Sequence, residues 1–210
     1  MRQLPSLFAD FANGIFATLL AGYITGIPFV WWHLVVGLLL AMAPDLDALP
    51  ELIRRGRVGT SAENPRDHRD GLHFPILFLI TGAAILYFNT FWGVLFLLAT
   101  SLHFINDMYG TGWGIALFWP LSNRRYKFFS RRVNQSKAML IEGGVWPTLS
   151  PEEKRLRVVV TWDPEELPEY TKRWGVDDWI ERCYYRLTWI GVIEGGLFAV
   201  AIVWLITSLV

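Results

Sequence analysis

The sequence predicts an all-α fold, a polytopic helical membrane bundle of about five spans with a polar segment between the fourth and fifth. Three observations carry this. The chain is 53% hydrophobic, with a mean hydropathy of +0.32. Charged residues make up 18%, against about 25% in soluble domains. Five long stretches carry almost no charge: about Phe11–Ile27, Pro28–Ala43, Leu72–Phe88, Phe91–Phe104 and Tyr185–Val210. A bilayer core of about 30 Å needs about 20 helical residues. The last stretch meets this easily, and the first four are short. The 11 Trp residues suit membrane–water interfaces, where the ring is apolar and its N–H finds water.

The basic residues predict the orientation. Arg2 precedes the first span, and Arg54, Arg55, Arg57, Arg66 and Arg69 lie between the second and third. The remaining 13, from Arg124 to Arg186, lie before or at the start of the fifth. The connections near Ile27 and Asn89 carry none. Alternation of basic and uncharged loops places the amino terminus and both long loops in the cytoplasm. The first segment reads as a retained span and not a signal peptide, since Asp10 accompanies Arg2 and no cleavage site follows. The expected division is a membrane domain over 1–123, a cytoplasmic polar segment over 124–184 and a carboxy-terminal span over 185–210.

Within the polar segment, Gly110–Pro120 is too rich in Gly for a helix, and its aromatics suggest an interfacial segment. The run Arg124, Arg125, Lys127, Arg131 and Arg132, interrupted by Phe128 and Phe129, reads either as a grip on anionic headgroups or as a topology anchor. Ser150-Pro-Glu-Glu is a helix start. Leu156–Trp162 is β-branched and could form a strand, with no partner evident. Asp177–Tyr185 reads as a helix leading into the last span. The balance of 19 basic and 19 acidic residues offers no field for nucleic acid, so none is expected as a partner. The single Cys183 excludes an internal disulfide.

Three polar clusters fall at the predicted cytoplasmic ends of three spans. Asp45 and Asp47 follow Pro44, which ends the second span. His68, Arg69 and His73 precede the third. His103 and Asp107 close the fourth, and their spacing puts both on one helix face. Imidazole and carboxylate together suit a divalent metal, Zn²⁺ first and Mn²⁺ or Fe²⁺ as alternatives. Ionisable groups at membrane depth are costly unless they pair or bind something. His33, beside Trp31 and Trp32, lies near the opposite boundary and reads as interfacial.

These motifs resemble the YdjM-like inner-membrane proteins, a family regarded as membrane-bound metal-dependent hydrolases. The family pattern is Pro-Asp-x-Asp, then His-Arg-x-x-x-His, then His-x-x-x-Asp and Gly-x-x-Leu-x-Trp-Pro-x-Ser. It is matched by Pro44-Asp45-Leu46-Asp47, by His68-Arg69 with His73, by His103 with Asp107, and by Gly114 through Leu117, Trp119, Pro120 and Ser122. The match covers about residues 10–130. His73 departs in its flanks, Leu72 and Phe74 standing where the family commonly has hydroxyls. Lipid phosphatases of the PAP2 type share only the His-x-x-x-Asp.

The resemblance implies a metal-dependent hydrolase of the inner cell membrane; Arg69, the membrane location and the metal type point to a phosphoester substrate, small or lipid-linked, at the cytoplasmic leaflet among membrane lipids, with an amide or peptide as the open alternative. His68, His73, His103 and Asp107 are the expected metal ligands. Asp45 and Asp47 would complete the site or act as general base, and Arg69 would stabilise charge on the phosphoryl oxygens. The competing expectation is a non-enzymatic protein whose metal serves structure, sensing or transport. Glu194, in the fifth span, would suit a transport path, a bond to a neighbouring helix, or a cap on a break at Gly195-Gly196.

Overall fold

The structure, a computed structural model, describes residues 7–60, 68–129, 137–155 and 157–209. It is mostly helical. α1 (Phe8–Thr25) ends on Gly26 in the left-handed conformation, and α2 (Trp31–Ala41) returns beside it. A 3₁₀ turn over Pro44–Ala48 and α3 (Leu49–Arg55) continue from α2 at an angle of 52°. α4 (Pro75–Phe88) and α5 (Thr90–Tyr109) form a hairpin. The Asn89 side chain caps α5 by accepting from the Trp92 N–H at 3.1 Å. The last long helix, α10 (Trp189–Thr207), starts on the Thr188 side chain as its cap.

Among the described residues three helices, α1, α5 and α10, are long and apolar enough to cross a membrane, or four if the bent pair counts as one span. α4 is apolar throughout, but its 14 residues rise only about 21 Å. α2, with 11 residues, rises about 16 Å. The second expected stretch is thus bent at Pro44, where the ring fixes φ and removes a donor.

α1 is the centre of the bundle, packed on α2, α5 and α10. Ala17, Ala21, Ala41 and Ala99 meet Phe91 and Leu95 there. Small residues let helix backbones approach closely: a Cβ at Gly14 would stand 2.7 Å from the Leu38 Cα. On the other side α1 meets α10 through Ala12, Ile15, Leu19 and Ala201. This packing sets the depth of Asp10, in the first turn of α1.

Beyond the helix ends lies a second layer. It holds β1 (Arg125–Phe129), α6 (Lys137–Glu142), α7 (Pro151–Lys154), β2 (Arg157–Trp162), α8 (Leu167–Trp174) and α9 (Trp179–Tyr184). Its core joins Trp113, Leu140, Leu149, Val160, Trp162 and Trp174. The Ser150 helix start is present, with a reciprocal Ser150–Glu153 capping box.

The all-α expectation needs one correction. β1 and β2 pair antiparallel, Arg125 opposite Trp162 and Lys127 opposite Val160. The partner missing from the sequence reading is the basic run itself. Side chains alternate across a strand, so Arg125 and Lys127 share one face, and both are buried. Arg125 pairs with Asp70, and Lys127 donates to the Gly110 carbonyl. Burial, with the Arg69 cation adding to it, pushes Lys127 down to about 7. Arg124 stays at the surface, paired with Asp163 at 2.9 Å. Arg2, Arg66, Arg131 and Arg132 lie outside the described residues. The Gly110–Pro120 stretch is not wholly interfacial either, since Trp113, Ile115 and Ala116 are buried. α10 runs unbroken through Gly195 and Gly196.

Candidate metal centre

The three polar clusters meet, because the bend after α2, the start of α4 and the end of α5 lie side by side. His103 and Asp107 share the inner face of α5, both buried. His73 precedes Pro75 at the α4 start and is wholly buried. Asp45 and Asp47 sit in the 3₁₀ turn that Pro44 imposes on the chain after α2.

The hydrogen bonds fix which ring nitrogens face the centre. His73 Nδ1 lies 3.0 Å from Asp47 Oδ2, and His103 Nδ1 lies 2.8 Å from Asp10 Oδ1. A carboxylate only accepts, so each Nδ1 carries its proton and donates. In the neutral ring each Nε2 is then a bare lone pair, and the two stand 3.4 Å apart. Two such atoms have no hydrogen bond to share. A cation between them is the arrangement that uses both, and a carboxylate behind each ring is the usual support of a metal-binding imidazole.

Two oxygens complete the group. Asp107 Oδ2 is 3.1 Å from His73 Nε2 and 3.3 Å from His103 Nε2. It is buried and receives no hydrogen bond. Asp45 Oδ1 is 3.3 Å from His73 Nε2 and 3.7 Å from His103 Nε2. Donors about 2.0–2.1 Å from a tetrahedral ion stand roughly 3.3–3.4 Å from each other. The 3.1–3.4 Å spacings among His73, His103 and Asp107 fit that figure, while Asp45 groups with Asp10 and His103 and with Asp47, His68 and His73.

The charge fits as well. Asp10, Asp45, Asp47 and Asp107 converge here, and Arg69 answers them with one guanidinium. Buried carboxylates in excess need a cation.

Each expected residue has a distinct place. Among the described residues, the groups whose donor atoms could hold an ion are Asp45, Asp47, His68 and His73; His73, His103 and Asp107; and Asp10, Asp45 and His103. His68 stands at the edge, its Nε2 3.6 Å from Asp45 Oδ1. Asp47 Oδ2 is taken by His73 and by the Leu72 N–H at 2.6 Å. Arg69 donates to Asp107 Oδ1 at 2.5 Å and to the Thr111 carbonyl at 3.1 Å. His33 is elsewhere, buried against Phe91 with ring centroids 4.4 Å apart. Asp10 went unassigned in the sequence reading, where it counted only against a signal peptide. A lone acid inside an apolar first span was the available signal.

The centre forms the floor of a cavity of about 290 Å³. Asp45, His68, Arg69, His103 and Asp107 line it, and Leu7, Met42, Leu49, Leu52 and Ile180 provide apolar walls. α9 is tied over it. Trp179 Nε1 donates to the Val58 carbonyl at 2.7 Å, and Asp177 pairs with Arg55 at 3.2 Å and Arg57 at 3.1 Å.

The family model described as YdjM inner membrane protein matches residues 8–207. The chain belongs to that family. No curated protein and no solved structure matches it. The match runs through α10, so the YdjM unit includes the polar layer and the last helix as well as the motif-bearing helices. An inner-membrane family agrees with the apolar helices able to cross a bilayer.

Proposed function

We propose that this YdjM-family chain is a membrane-bound, metal-dependent hydrolase acting on a phosphoester with an apolar tail, at the cytoplasmic face. One observation carries the reading: donor atoms of His73, His103 and Asp107 lie 3.1–3.4 Å from one another, beside a cavity that His103, Asp107 and Asp45 line and to which Leu7, Leu49 and Leu52 give apolar surface. His73, His103 and Asp107 would hold the ion, with Asp45 and His68 adjacent and a position left for water. Zn²⁺ suits this set best, and Mn²⁺ or Fe²⁺ accept the same donors. A metal bound there supplies hydroxide near neutral pH by lowering the pKa of its water toward about 7.

The chain's own residues supply the rest. Asp10 and Asp47 hold the two rings in the productive tautomer. Asp45 has 35% of its side chain exposed, far more than Asp107, and is the carboxylate placed to take a proton from the nucleophile. Arg69 holds Asp107 in place and offsets negative charge beside a phosphoryl group. Leu49 and Leu52 would receive the tail. On the same bent segment Leu46 and Ile53 are exposed next to Arg54 and Arg57. Apolar side chains flanked by arginines suit a helix lying in the headgroup region.

The test is metal analysis of the purified protein, then hydrolysis of phosphomonoesters and phosphodiesters with and without acyl tails. A co-purifying divalent ion is expected, with hydrolysis abolished by chelation and restored by the ion. Equal activity of the metal-free protein would overturn the mechanism. A loaded protein inert toward every ester would favour the non-enzymatic reading, in which the metal serves structure, sensing or transport.

The same proposal places the amino terminus in the cytoplasm and gives the chain five crossings, from the alternation of basic loops. Cys183 is buried, and burial together with the nearby Glu194 charge pushes its thiol up to about 12. A single Thr60→Cys therefore reports alone, because a thiol so raised is inert to maleimide. Position 60 is expected to resist an impermeant maleimide in intact cells and to react after lysis. Labelling from outside would reverse the topology.

A further inference from the structure

Glu194 is the only charged residue of α10 and takes no part in the centre described above. It is 1% exposed. Tyr184 Oη donates to its Oε2 at 2.5 Å. Its second oxygen, Oε1, is buried without a hydrogen-bond partner among the described residues, and so is Oδ1 of Asn106. A strut between α9 and α10 would need only one carboxylate oxygen. The other is an acceptor held out of water with nothing given to it, which is costly unless a ligand supplies the donor.

Glu194 and Asn106 both line the cavity that Asp45, His103 and Asp107 also line. Asn106 lies between His103 and Asp107 on α5. A Cβ at Gly110 would fall 3.5 Å from Glu194 Oε1, so the carboxylate sits against the end of that same helix. The cavity thus has a floor of lone pairs suited to a cation and ester, apolar walls, and a separate wall of two acceptors on α10 and α5.

We propose that Glu194 and Asn106 form a headgroup subsite that accepts a hydrogen bond from an O–H or N–H group of the substrate while the metal centre engages its phosphoester. This rests on the hydrolase reading above and adds the substrate class: an amphiphile whose headgroup carries a donor, as a polyol or an amine does.

The experiment uses the full-length, metal-loaded protein in detergent and short-chain lipid probes. Phosphatidylglycerol offers hydroxyls, phosphatidylethanolamine an ammonium, and phosphatidylmethanol the same diester with no donor. Binding is read as the initial change in Trp fluorescence, since Trp113 and Trp179 line the cavity. The wild type is expected to prefer one donor-bearing lipid over phosphatidylmethanol by about tenfold or more, the scale of a buried acceptor left unmade. In Glu194→Gln the amide oxygen can serve Tyr184 and the NH₂ then faces the cavity, so the preference is expected to fall below about threefold, with metal content unchanged. Asn106→Ala should weaken the same preference and serves if the first variant does not fold. Equal binding of all three lipids by the wild type, or a preference retained in both variants, overturns the subsite. Metal loss in Glu194→Gln overturns it too, by making the residue a support of the centre. Metal content of the wild type, measured on the same samples, separates the two readings: wild-type protein that takes up no metal overturns the hydrolase reading itself.

Discussion

Replacing His103 by alanine is expected to empty the metal centre. Its Nε2 stands 3.3 Å from Asp107 Oδ2, 3.4 Å from His73 Nε2 and 3.7 Å from Asp45 Oδ1. The substitution also strips Asp10 of the N–H it accepts from, leaving a buried carboxylate unpaired. Zn²⁺ affinity, read by competition against a chelating dye, should fall by well over about 100-fold, since supporting partners alone usually cost 10–100-fold. Asp10→Asn is the matched control. It keeps the ring and weakens its support, so a loss within about 10–100-fold is expected. Unchanged affinity in His103→Ala would remove this ring from the ligand set.

Arg69→Lys and Gly112→Ala are expected to damage the centre through a single contact. Gly112 has φ +94°, and a Cβ there would overlap the Arg69 guanidinium. The open face of this glycine lets the guanidinium reach both Asp107 and the Thr111 carbonyl. A lysine ammonium is a point donor and loses that fork. Alanine at Gly112 pays about 1–2 kcal/mol for the left-handed backbone and displaces the arginine as well. In a chain of this size about 1 kcal/mol lowers Tm by about 2–4 °C. Gly112→Ala should therefore melt at least a few degrees lower and bind Zn²⁺ about tenfold or more weakly. Arg69→Lys should lose metal affinity together with turnover. The guanidinium has these two protein partners in addition to the phosphoryl role expected from the sequence. A Gly112→Ala protein with wild-type melting and metal affinity would show that this contact carries nothing.

What was legible in the sequence follows from local rules. Long charge-free stretches marked the helices, although α2 and α4 came out shorter than the stretches that hold them. The convergence of Asp45, His73, His103 and Asp107 was legible because each follows or precedes a span at one predicted boundary, and the His103–Asp107 spacing is a helical period. The β2 segment was visible as a β-branched run. Its partner was not, because a basic-aromatic run beside a membrane reads as an anchor, and only pairing reveals that Arg125 and Lys127 point inward.

By itself the sequence determined a helical membrane protein, its family, and a set of histidines and aspartates at one end of the bundle. The tertiary structure alone decided how those residues divide their work. Asp10 meets His103 across 93 positions of chain, a contact made by the packing of α1 on α5. Asp47 turns to His73, Arg69 to Asp107, and Glu194 comes from the last helix to the same cavity. Hydropathy and spacing act within one helix. Which carboxylate supports a ring and which faces an ion is set by ångström-scale contacts between helices distant in sequence, and no local pattern encodes those.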